Sequence, residues 1–515
     1  MIGSLTAAYQ RGMRVLGRLS MYRLVLFALA VLAVIAFALS FAGLVLPTPG
    51  ALVATAAVLV VVGSAVDAIA HHVIGTPWRV ESTLITSGIL LFVVRPGLDV
   101  PTLAGAAIAA AAAALSKYLI VWRGRHILNP AAVGAAVATL STLGGSAWWV
   151  GTPALFAPLA LLALLVLWRT EKLRVVALFL AVAVVFGTTR AIVQLFAAGA
   201  STPLETLLQG VIVQSPYLFL GAFMLSEPLT LPPRRRQQYL VAVVVGLLAG
   251  WPIPLGIVTL GQERALLIGN LVAFAFAARG AVRLTLARRR ALTPTVQELS
   301  FTAMRPVAFE PGQYLELDVP HRRPDARGTR REFSVSSAPE ELPTIRIAFR
   351  EGRAETLSSY KRALAEAAEG DVLAVTGVWG DFVLPRSTDA PVLMVAAGIG
   401  VTPFVSQLRH LQLAGERRDI VLVLVASSAA ELPYRAELED TGVRTVVCTP
   451  DEPAALPAHW SWWGGGRLTA DGLGEAVPDL ATRRAYVSGP PALIADLAPA
   501  LARARSLTTD AFAGY

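Results

Sequence analysis

The chemistry open to this chain is suggested first by one short run of residues, Arg331-Glu332-Phe333-Ser334-Val335-Ser336. It combines a cation that can pair with a pyrophosphate, an aromatic face for a flat heterocycle and a hydroxyl for a ring nitrogen. One arginine alone is usually a surface charge, but the three groups at this spacing are far more specific. The run predicts binding of a phosphorylated heterocycle by Arg331, Phe333, Ser334 and Ser336.

A second motif, Ala-Gly-Ile-Gly-Val-Thr-Pro at 397–403, lies between a predicted strand at 392–396 and a helix through Leu413. Its two glycines let the backbone approach a pyrophosphate at the helix start, where the amides and the helix dipole attract anions. A bare Gly-x-Gly is weak evidence, but a strand before and a helix after it are the expected context. The motif predicts a pyrophosphate-binding site at Gly398 and Gly400.

A polar run before a short predicted helix at 361–367 is a third candidate. The free amides at the start of such a helix suit a phosphate. A serine that only caps the helix is the alternative. We favour phosphate binding because the motif at 331–336 precedes it, and we assign Gly352, Ser358 and Ser359 to the same cofactor.

Two kinds of fold must position these residues. Short alternating strands with Gly and Pro turns over 291–386 predict a small β-barrel. Strands and helices alternate over 387–515, which predicts an α/β domain with a parallel, doubly wound sheet.

The residues before this region have a membrane composition. Mean hydropathy of the whole chain is +0.61 with 15% charged residues, and most acidic residues lie beyond residue 290. Residues 1–290 are therefore predicted to be a polytopic α-helical domain in the lipid bilayer. About ten spans are expected, near 24–46, 52–72, 82–94, 100–120, 130–143, 153–168, 175–196, 208–225, 239–260 and 265–286.

Basic residues set the expected orientation. They occupy the N-terminus and every second loop, including 234–236, whereas the alternate loops carry almost no net charge. The positive-inside rule then places both termini in the cytosol, for a multi-pass protein of the cytoplasmic membrane. The formal charge of +9 reflects this topology and does not indicate a nucleic-acid partner.

Few residues could hold a redox metal. The single cysteine, Cys448, excludes a disulfide within the chain or an iron–sulfur cluster held by it alone. The membrane part has only His71, His72 and His126, too few for two bis-histidine haems. No metal site is predicted, and flavin is the redox carrier that the sequence can best hold.

Five ordered motifs give residues 291–515 a resemblance to the ferredoxin–NADP reductase superfamily. The resemblance implies that Arg331 binds the FAD pyrophosphate, Phe333 packs on the isoalloxazine and Ser334 contacts the N5 edge. It also implies that Gly398, Gly400, Thr402 and Pro403 bind the nicotinamide dinucleotide. Ser488-Gly489-Pro490-Pro491 matches the family's Cys-Gly-Pro-Pro near the nicotinamide, with serine in place of cysteine. Expected catalytic residues are Ser334, Ser488 and Tyr515, the last covering the flavin; Gly489 and Pro490 join the nucleotide site.

Residues 20–290 resemble the family of membrane subunits shared by the sodium-pumping NADH:quinone oxidoreductase and the Rnf complex. The fragment Asn129-Pro130-Ala131-Ala132 is the most specific match, and the ten-span count agrees. The resemblance implies a flavin in the membrane domain, FMN or riboflavin, with Asn129 as a binding residue. In that family a flavin transferase links FMN to a threonine on the outer side. Here Ser201 holds that position and Thr202 follows it.

Two features leave the covalent flavin open. No Asp precedes the motif at the expected distance, and Thr202-Pro203-Leu204-Glu205 also fits a capping box that would occupy the threonine. A flavin held without a covalent bond is the alternative. Within the spans, Asp67 is a candidate functional carboxylate or a helix-packing residue.

Together these features predict a membrane NAD(P)H dehydrogenase. Electrons would pass from cytosolic NAD(P)H through FAD to a flavin in the membrane domain, then to an extracytosolic flavoprotein or a quinone. After the second nucleotide strand there is neither an Asp or Glu placed to bind a 2′-hydroxyl nor an adjacent Arg for a 2′-phosphate, so NADH or NADPH stays open, with a slight preference for NADH. Alternatives are a quinone or ferric reductase confined to the cytosolic face, a cation pump acting through Asp67, and a non-catalytic redox sensor.

Overall fold

A computed structural model of the chain describes residues 21–74, 78, 80–122, 125–170, 172–200, 202–228, 230–232, 235–256, 258–277, 282–322, 329–352, 357–464 and 467–511. They form two compact units that meet in the sequence between Arg279 and Gly280. We call the described residues up to 277 the helical unit and those from 282 to 511 the two-sheet unit. Each unit has its own apolar core.

The helical unit contains long apolar helices joined by short loops and two small hairpins, β1–β2 (Val121–Trp122, Arg125–His126) and β3–β4 (Ile253–Leu255, Val258–Leu260). Helix α9 continues directly into a π-helix at Leu220–Leu225. The helices are α1 (Met21–Phe41), α2 (Pro49–Ile74), α3 (Val80–Val93), α4 (Val100–Leu119), α5 (Pro130–Leu140), α6 (Pro153–Arg169), α7 (Leu173–Ala197), α8 (Leu204–Val213), α9 (Tyr217–Phe219), α10 (Arg235–Gly250) and α11 (Gln262–Ala277).

Each of the ten predicted spans overlaps at least one of these helices, but the helices differ in length. Among the described residues, five helical segments are long and apolar enough to cross a membrane, judged by length and composition alone. They are Tyr22–Phe41, Pro49–Ile74, Val100–Leu119, Leu173–Ala197 and Leu204–Leu225.

The last two predicted spans end earlier than expected. Helix α10 ends at Gly250, and the hairpin β3–β4 follows because Pro252 and Pro254 cannot continue a helix. Helix α11 ends at Ala277 and a strand begins at Val282, inside the segment predicted to be the tenth span. There the buried Leu284 and Leu286 alternate with more exposed neighbours, the period-two pattern of a strand. This strand begins ahead of the boundary expected at residue 290.

Close helix packing explains the small residues of α4 and α5. Ala109 and Ala113 of α4 are fully buried. A Cβ at Gly134 of α5 would lie 2.4 Å from the Ala109 carbonyl oxygen and 2.9 Å from the Ala113 Cβ. The two backbones therefore approach closely, as small residues allow in apolar surroundings.

The first sheet of the two-sheet unit is antiparallel, with strand order β8-β7-β10-β5-β6-β9. A bridge between Val335, just after β8, and Ile347 of β9 connects the two ends of this order. Helix α12 (Ser359–Glu366) places Tyr360 and Leu364 in the same core. The strands are β5 (Val282–Thr293), β6 (Val296–Ala303), β7 (Tyr314–Asp318), β8 (Arg330–Ser334), β9 (Thr344–Arg350) and β10 (Val372–Trp379).

The second sheet is parallel throughout, with strand order β14-β13-β12-β11-β15-β16. Alternate residues of β11 enter two different cores, as expected of a sheet covered on both faces. The elements are β11 (Val392–Ala397), α13 (Thr402–Ala414), β12 (Ile420–Val425), α14 (Arg435–Glu439), β13 (Arg444–Cys448), β14 (Trp460–Trp463), α15 (Ala470–Ala476), β15 (Arg484–Gly489), α16 (Pro491–Leu501) and β16 (Ser506–Ala511).

The direction in which successive strands are added to this sheet reverses once. From β11 the chain adds strands outward to β14, and then returns to place β15 on the other side of β11. In such sheets ligands bind outside the carboxyl ends of the strands at the reversal. The topology therefore directs attention to the ends of β11 and β15.

Candidate functional site

A cavity of about 460 Å³ opens at this point, between the two sheets. Its walls include the carboxyl ends of β11, β12 and β15 on one side and residues of β8, β9 and α12 on the other. The first two sequence motifs therefore contribute to one cavity, although they are distant in the sequence. Of the third, Gly352, Ser358 and Ser359 are not among the lining residues, whereas Lys361 of α12 is.

Strand β8 brings the first motif to this cavity. Phe333 and Ser334 line it, and Ser334 is buried at the end of the strand, opposite Tyr314 of β7. Arg331 and Phe333 lie on one face because side chains two apart in a strand point the same way. The Arg331 guanidinium carbon is 4.8 Å from the centroid of the Tyr360 ring. The Phe333 ring stacks on Tyr360 at 6.0 Å.

Tyr360 supports this motif and was not among the expected site residues. Its hydroxyl donates to the Leu317 carbonyl oxygen at 2.9 Å, and the side chain is buried. Burial raises the pKa of Tyr360 well above its ordinary value, so the hydroxyl remains a donor. The apolar spacing of α12, with Tyr360 and Leu364 on one face, was the signal that could have identified it.

Ser336 is placed differently from the other residues of its motif. Its buried hydroxyl accepts a hydrogen bond from the Tyr434 hydroxyl at 2.9 Å, and it is outside the cavity wall. Nearby, the Ser406 hydroxyl donates to the Ser337 carbonyl oxygen at 2.7 Å. In this structure Ser336 connects the antiparallel sheet to the parallel one, and its assignment to a cofactor stays a prediction.

The start of α12 combines capping with positive charge. The Ser358 hydroxyl accepts from the Lys361 backbone amide at 3.2 Å, so the capping alternative is realised. The Ser359 hydroxyl lies 3.1 Å from His321 Nε2, a neighbour that the sequence did not reveal. Gly352 is exposed just after β9.

Two cationic side chains line this part of the cavity, those of Arg350 in β9 and Lys361 in α12. The Lys361 ammonium donates to the Arg350 carbonyl oxygen at 2.8 Å. Burial, and then the charge of Arg350, lower the pKa of Lys361 from its ordinary value. This wall of the cavity is therefore suited to an anionic group such as a phosphate.

The glycine turn forms the opposite wall. Gly398 has a φ of +54°, a conformation that favours glycine. A Cβ at Gly400 would lie 2.4 Å from the Ser488 carbonyl oxygen, so only glycine fits beside β15. The Thr402 hydroxyl donates to the Ile399 carbonyl oxygen at 2.9 Å and holds the turn, and Pro403 follows in the first turn of α13.

The hydroxyl of Ser488 is the polar group that bears most directly on whether a ligand binds here. The residue is fully buried at the end of β15, and its hydroxyl has no hydrogen-bond partner among the residues that the structure describes. The next two residues, Gly489 and Pro490, line the cavity. An unpaired buried hydroxyl is costly unless a bound group satisfies it. A nicotinamide in the cavity is such a group, so the residues present fit the expected nucleotide.

The structure offers no support for metal or thiol chemistry within its described part. No group of three or more His, Cys, Asp or Glu residues that could hold a metal ion occurs there. Burial raises the pKa of the Cys448 thiol to about 12, so this thiol is protonated at neutral pH and is not a nucleophile.

In the helical unit, Asn129 connects the start of α5 to the segment that follows the π-helix. Its side-chain oxygen accepts from the Ala132 amide at 3.1 Å, and its Nδ2 donates to Glu227 Oε2 at 2.8 Å. Its backbone N–H donates to Asn270 Oδ1 at 2.8 Å. The start of α5 and the segment after the π-helix are thus held together by polar contacts.

The expected capping box at Thr202 is not formed. Helix α8 begins at Leu204 with Pro203 as its N-cap, and no side chain caps it. Proline at that position takes the place of the threonine, whose side chain is exposed. Ser201 and Tyr515 lie outside the described residues, so their assignments stay predictions.

Comparison with known proteins finds one matching family model and several similar proteins. Residues 394–498 match the family model described as the oxidoreductase NAD-binding domain. The chain is 28% identical over 225 residues to the phenol hydroxylase P5 protein of Acinetobacter pittii, covering 42% of this chain and 61% of that protein. It is 30% identical over 225 residues to the reductase subunit of an aromatic O-demethylase from Amycolatopsis, covering 40% of this chain and 63% of the relative.

A crystal structure of a cytochrome P450 reductase from Amycolatopsis is 26% identical, with a TM-score of 0.38, covering 45% of this chain and 69% of that one. The chain spans less than two thirds of the length of the two curated relatives above. The C-terminal half is similar to ferredoxin–NADP reductase-like FAD- and NAD-binding proteins, and its residues 394–498 match an oxidoreductase NAD-binding domain. Within that class, its similarity is to NAD(P)H-dependent flavoprotein reductases.

Proposed function

We propose that this chain is a membrane NAD(P)H dehydrogenase that passes electrons through FAD to a second flavin in the helical unit. The observation that carries the proposal is the cavity lined by Ser334 and Gly398, with the unpaired hydroxyl of Ser488 buried next to Gly489 of its wall. When bound there, FAD accepts hydride from NAD(P)H and can release the electrons one at a time.

The antiparallel sheet supplies the proposed FAD contacts. Arg331, positioned by the Tyr360 ring, would pair with the pyrophosphate, and Phe333 would pack on the isoalloxazine. Ser334 would donate toward the ring edge from the end of β8. Ser336, Gly352, Ser358 and Ser359 complete the proposed set, with Lys361 adding positive charge.

The parallel sheet supplies the proposed nucleotide contacts. The backbone at Gly398 and Gly400 would approach a pyrophosphate near the start of α13. Only glycine fits at position 400, because a Cβ there would collide with the Ser488 carbonyl oxygen of β15. Thr402, Pro403, Gly489 and Pro490 shape the same wall. Ser488 would donate its free hydroxyl to the nicotinamide and orient it toward Ser334.

The helical unit has the proposed role of electron conduction. A hydrocarbon core of about 30 Å is too thick for one productive electron step, so transfer across it requires a carrier among the helices. Asn129 and its Glu227 contact mark the proposed flavin site in that unit. A covalent FMN would be attached at Ser201 or Thr202 by a flavin transferase. The acceptor would be an extracytosolic flavoprotein or a quinone.

The flavin content of the purified protein tests whether the helical unit holds a second electron carrier. Purified full-length protein is expected to contain FAD and a second flavin, about one each per chain. Acid-precipitated protein that keeps in-gel fluorescence would assign the second flavin to a covalent bond. A single FAD per chain, with none among the helices, would contradict the transfer route while leaving the reductase activity possible.

The direction of electron transfer is tested in right-side-out vesicles loaded with NADH. Export predicts reduction of an impermeant external acceptor, and this reduction should be lost when Ser488 and Arg331 are both replaced. Vesicles that oxidise internal NADH with quinone but never reduce the external acceptor would favour a reductase confined to the cytosolic face.

A further inference from the structure

The helical unit contains a buried charge cluster that the proposed electron route does not use. Asp67 of α2 is 1% exposed, and its carboxylate is contacted from two other helices. The Lys117 ammonium lies 3.1 Å from Oδ2 and the Tyr118 hydroxyl 2.8 Å from Oδ1, both from α4. The Thr83 hydroxyl of α3 donates to Oδ2 as well.

Because this cluster is buried, its stability depends on whether its charges balance one another. The side chains of Lys117 and Asp67 are only 6% and 2% exposed. An ionised carboxylate is strongly destabilising in such surroundings unless a cation and hydrogen bonds compensate it. Here one ammonium neutralises the carboxylate, and two hydroxyls complete its hydrogen bonding.

The ligand types are those of a monovalent cation site. Carboxylate and hydroxyl oxygens are the groups that hard cations prefer. The ammonium occupies the place where such a cation would neutralise Asp67. The surrounding packing is tight, because a Cβ at Gly63 would lie 3.3 Å from the Ser87 hydroxyl oxygen. The Ser87 hydroxyl itself donates to the Leu59 carbonyl oxygen at 3.1 Å.

We propose that the Lys117 ammonium is a tethered cation filling a monovalent cation site formed by Asp67, Thr83 and Tyr118. The intact chain therefore needs no sodium ion at Asp67. Removal of the ammonium vacates the site and makes the helical unit dependent on a dissolved cation. The Lys117 ammonium also interacts electrostatically with Glu227, the carboxylate that contacts Asn129, so the test measures sodium binding directly and does not depend on electron transfer.

The test uses the K117A variant of the full-length chain in detergent at pH 8.5. Thermal denaturation is followed in NaCl and in choline chloride at equal ionic strength, because choline is too large for the site. Wild-type protein should unfold at the same temperature in both salts. The K117A midpoint should rise by roughly 5 °C with saturating NaCl, as expected when a ligand binds only the folded state.

Two further variants serve as controls. K172A removes the other described lysine of the helical unit, whose ammonium contacts the neutral Gln238 amide oxygen at 3.1 Å, and it should gain no sodium response. D67N/K117M removes both charges, so it should fold and should be equally stable in the two salts. Equilibrium binding of radioactive sodium should give about one ion per chain for K117A, and none at this site for the wild type, K172A or D67N/K117M.

Three outcomes would overturn the proposal. One is a K117A variant that behaves identically in NaCl and choline chloride, whether it folds in both or in neither. Another is a D67N/K117M variant that responds to sodium as K117A does. The third is a wild-type protein that sodium stabilises in a saturable way that D67N abolishes.

Discussion

A single hydroxyl group, that of Ser488, tests the nucleotide site most directly. It is buried without a partner among the described residues, so S488A should change the stability of the folded chain by less than about 1 kcal/mol. Loss of a hydrogen bond to the nicotinamide should slow flavin reduction by NADH roughly tenfold. Stopped-flow flavin absorbance measures this rate.

The exposed Ser461 of β14 provides the control, and S461A should reduce flavin at the wild-type rate. An S488A protein that is also as fast as wild type would show that the hydroxyl does not contact the nicotinamide.

Arg331 allows a similar test for FAD. Its guanidinium lies over the Tyr360 ring, a flat arrangement that lysine cannot reproduce. R331K should therefore weaken FAD binding about tenfold, which corresponds to about 1.4 kcal/mol. Fluorescence titration of the flavin-depleted protein measures the Kd. R330K, at the neighbouring position beside Asp318, should bind FAD normally; equal losses in both variants would argue against a specific pyrophosphate contact.

At the scale of elements, ion pairs connect the two sheets of the two-sheet unit. Glu437 of α14 accepts from Arg290 of β5 at 2.5 Å and lies 3.7 Å from Arg409 of α13. Glu341, after β8, accepts from Arg409 at 2.8 Å. The relative position of the two cavity walls therefore depends partly on charge.

These pairs predict a pH dependence. Burial acts to raise the pKa of Glu437, but the hydrogen bond from Arg290 and the charges of Arg290 and Arg409 outweigh it and lower the pKa below its ordinary value. A lowered folded-state pKa means that the stabilisation is present above the unfolded value, near pH 4.5, and is lost as pH falls through the folded value. E437Q should cost less than about 1 kcal/mol at pH 7, because the pair is half-exposed and screened.

Flavin release on heating reports unfolding of this unit. The difference between E437Q and wild type should shrink as pH falls below about 4. E439Q is the matched control, since Glu439 pairs with Arg435 within α14 and not between the sheets. A difference that persists unchanged at acid pH would contradict the assignment.

Helix packing in the helical unit gives another prediction. A side chain at Gly134 would collide with the Ala109 carbonyl oxygen of α4. G134V should therefore destabilise the helical unit by at least about 2 kcal/mol. G145A is the control, because nothing lies within 4 Å of a Cβ there. Thermal denaturation in detergent compares the two, and a G134V protein as stable as wild type would mean that α4 and α5 pack less closely.

Local sequence determined some of these elements and not others. The turn at Gly398 was predictable because its glycines, strand and helix all lie within one short segment. The burial of Tyr360 was predictable from the spacing of α12, but its contact with Arg331 and the Ser336–Tyr434 contact were not, since each joins residues far apart in the sequence. The hairpin after α10 was missed because average hydropathy does not distinguish a helix from an apolar hairpin. The capping box at Thr202 does not form because helix α8 begins at Leu204, which makes Pro203 the N-cap residue.

For the whole molecule, the separate cores of the two units have an experimental consequence. All three apolar clusters of the two-sheet unit consist of residues from 282 onward. A fragment of residues 280–515 should therefore fold alone, bind FAD and reduce ferricyanide with NADH. It should not reduce a membrane acceptor. Insoluble fragment without flavin, from several expression hosts, would indicate that the helical unit is required for its folding.

The position of β16 has a practical consequence. This strand is parallel to β15 and ends in register with it, Ala511 opposite Gly489. Neighbouring strands are about 4.8 Å apart, so the chain leaves the sheet beside a residue of the cavity wall. A small environment-sensitive dye coupled to a cysteine that replaces Ala511 would be attached next to Gly489 of the cavity wall. Its emission could then follow nucleotide arrival and departure in real time, without relying on the flavin's own signal.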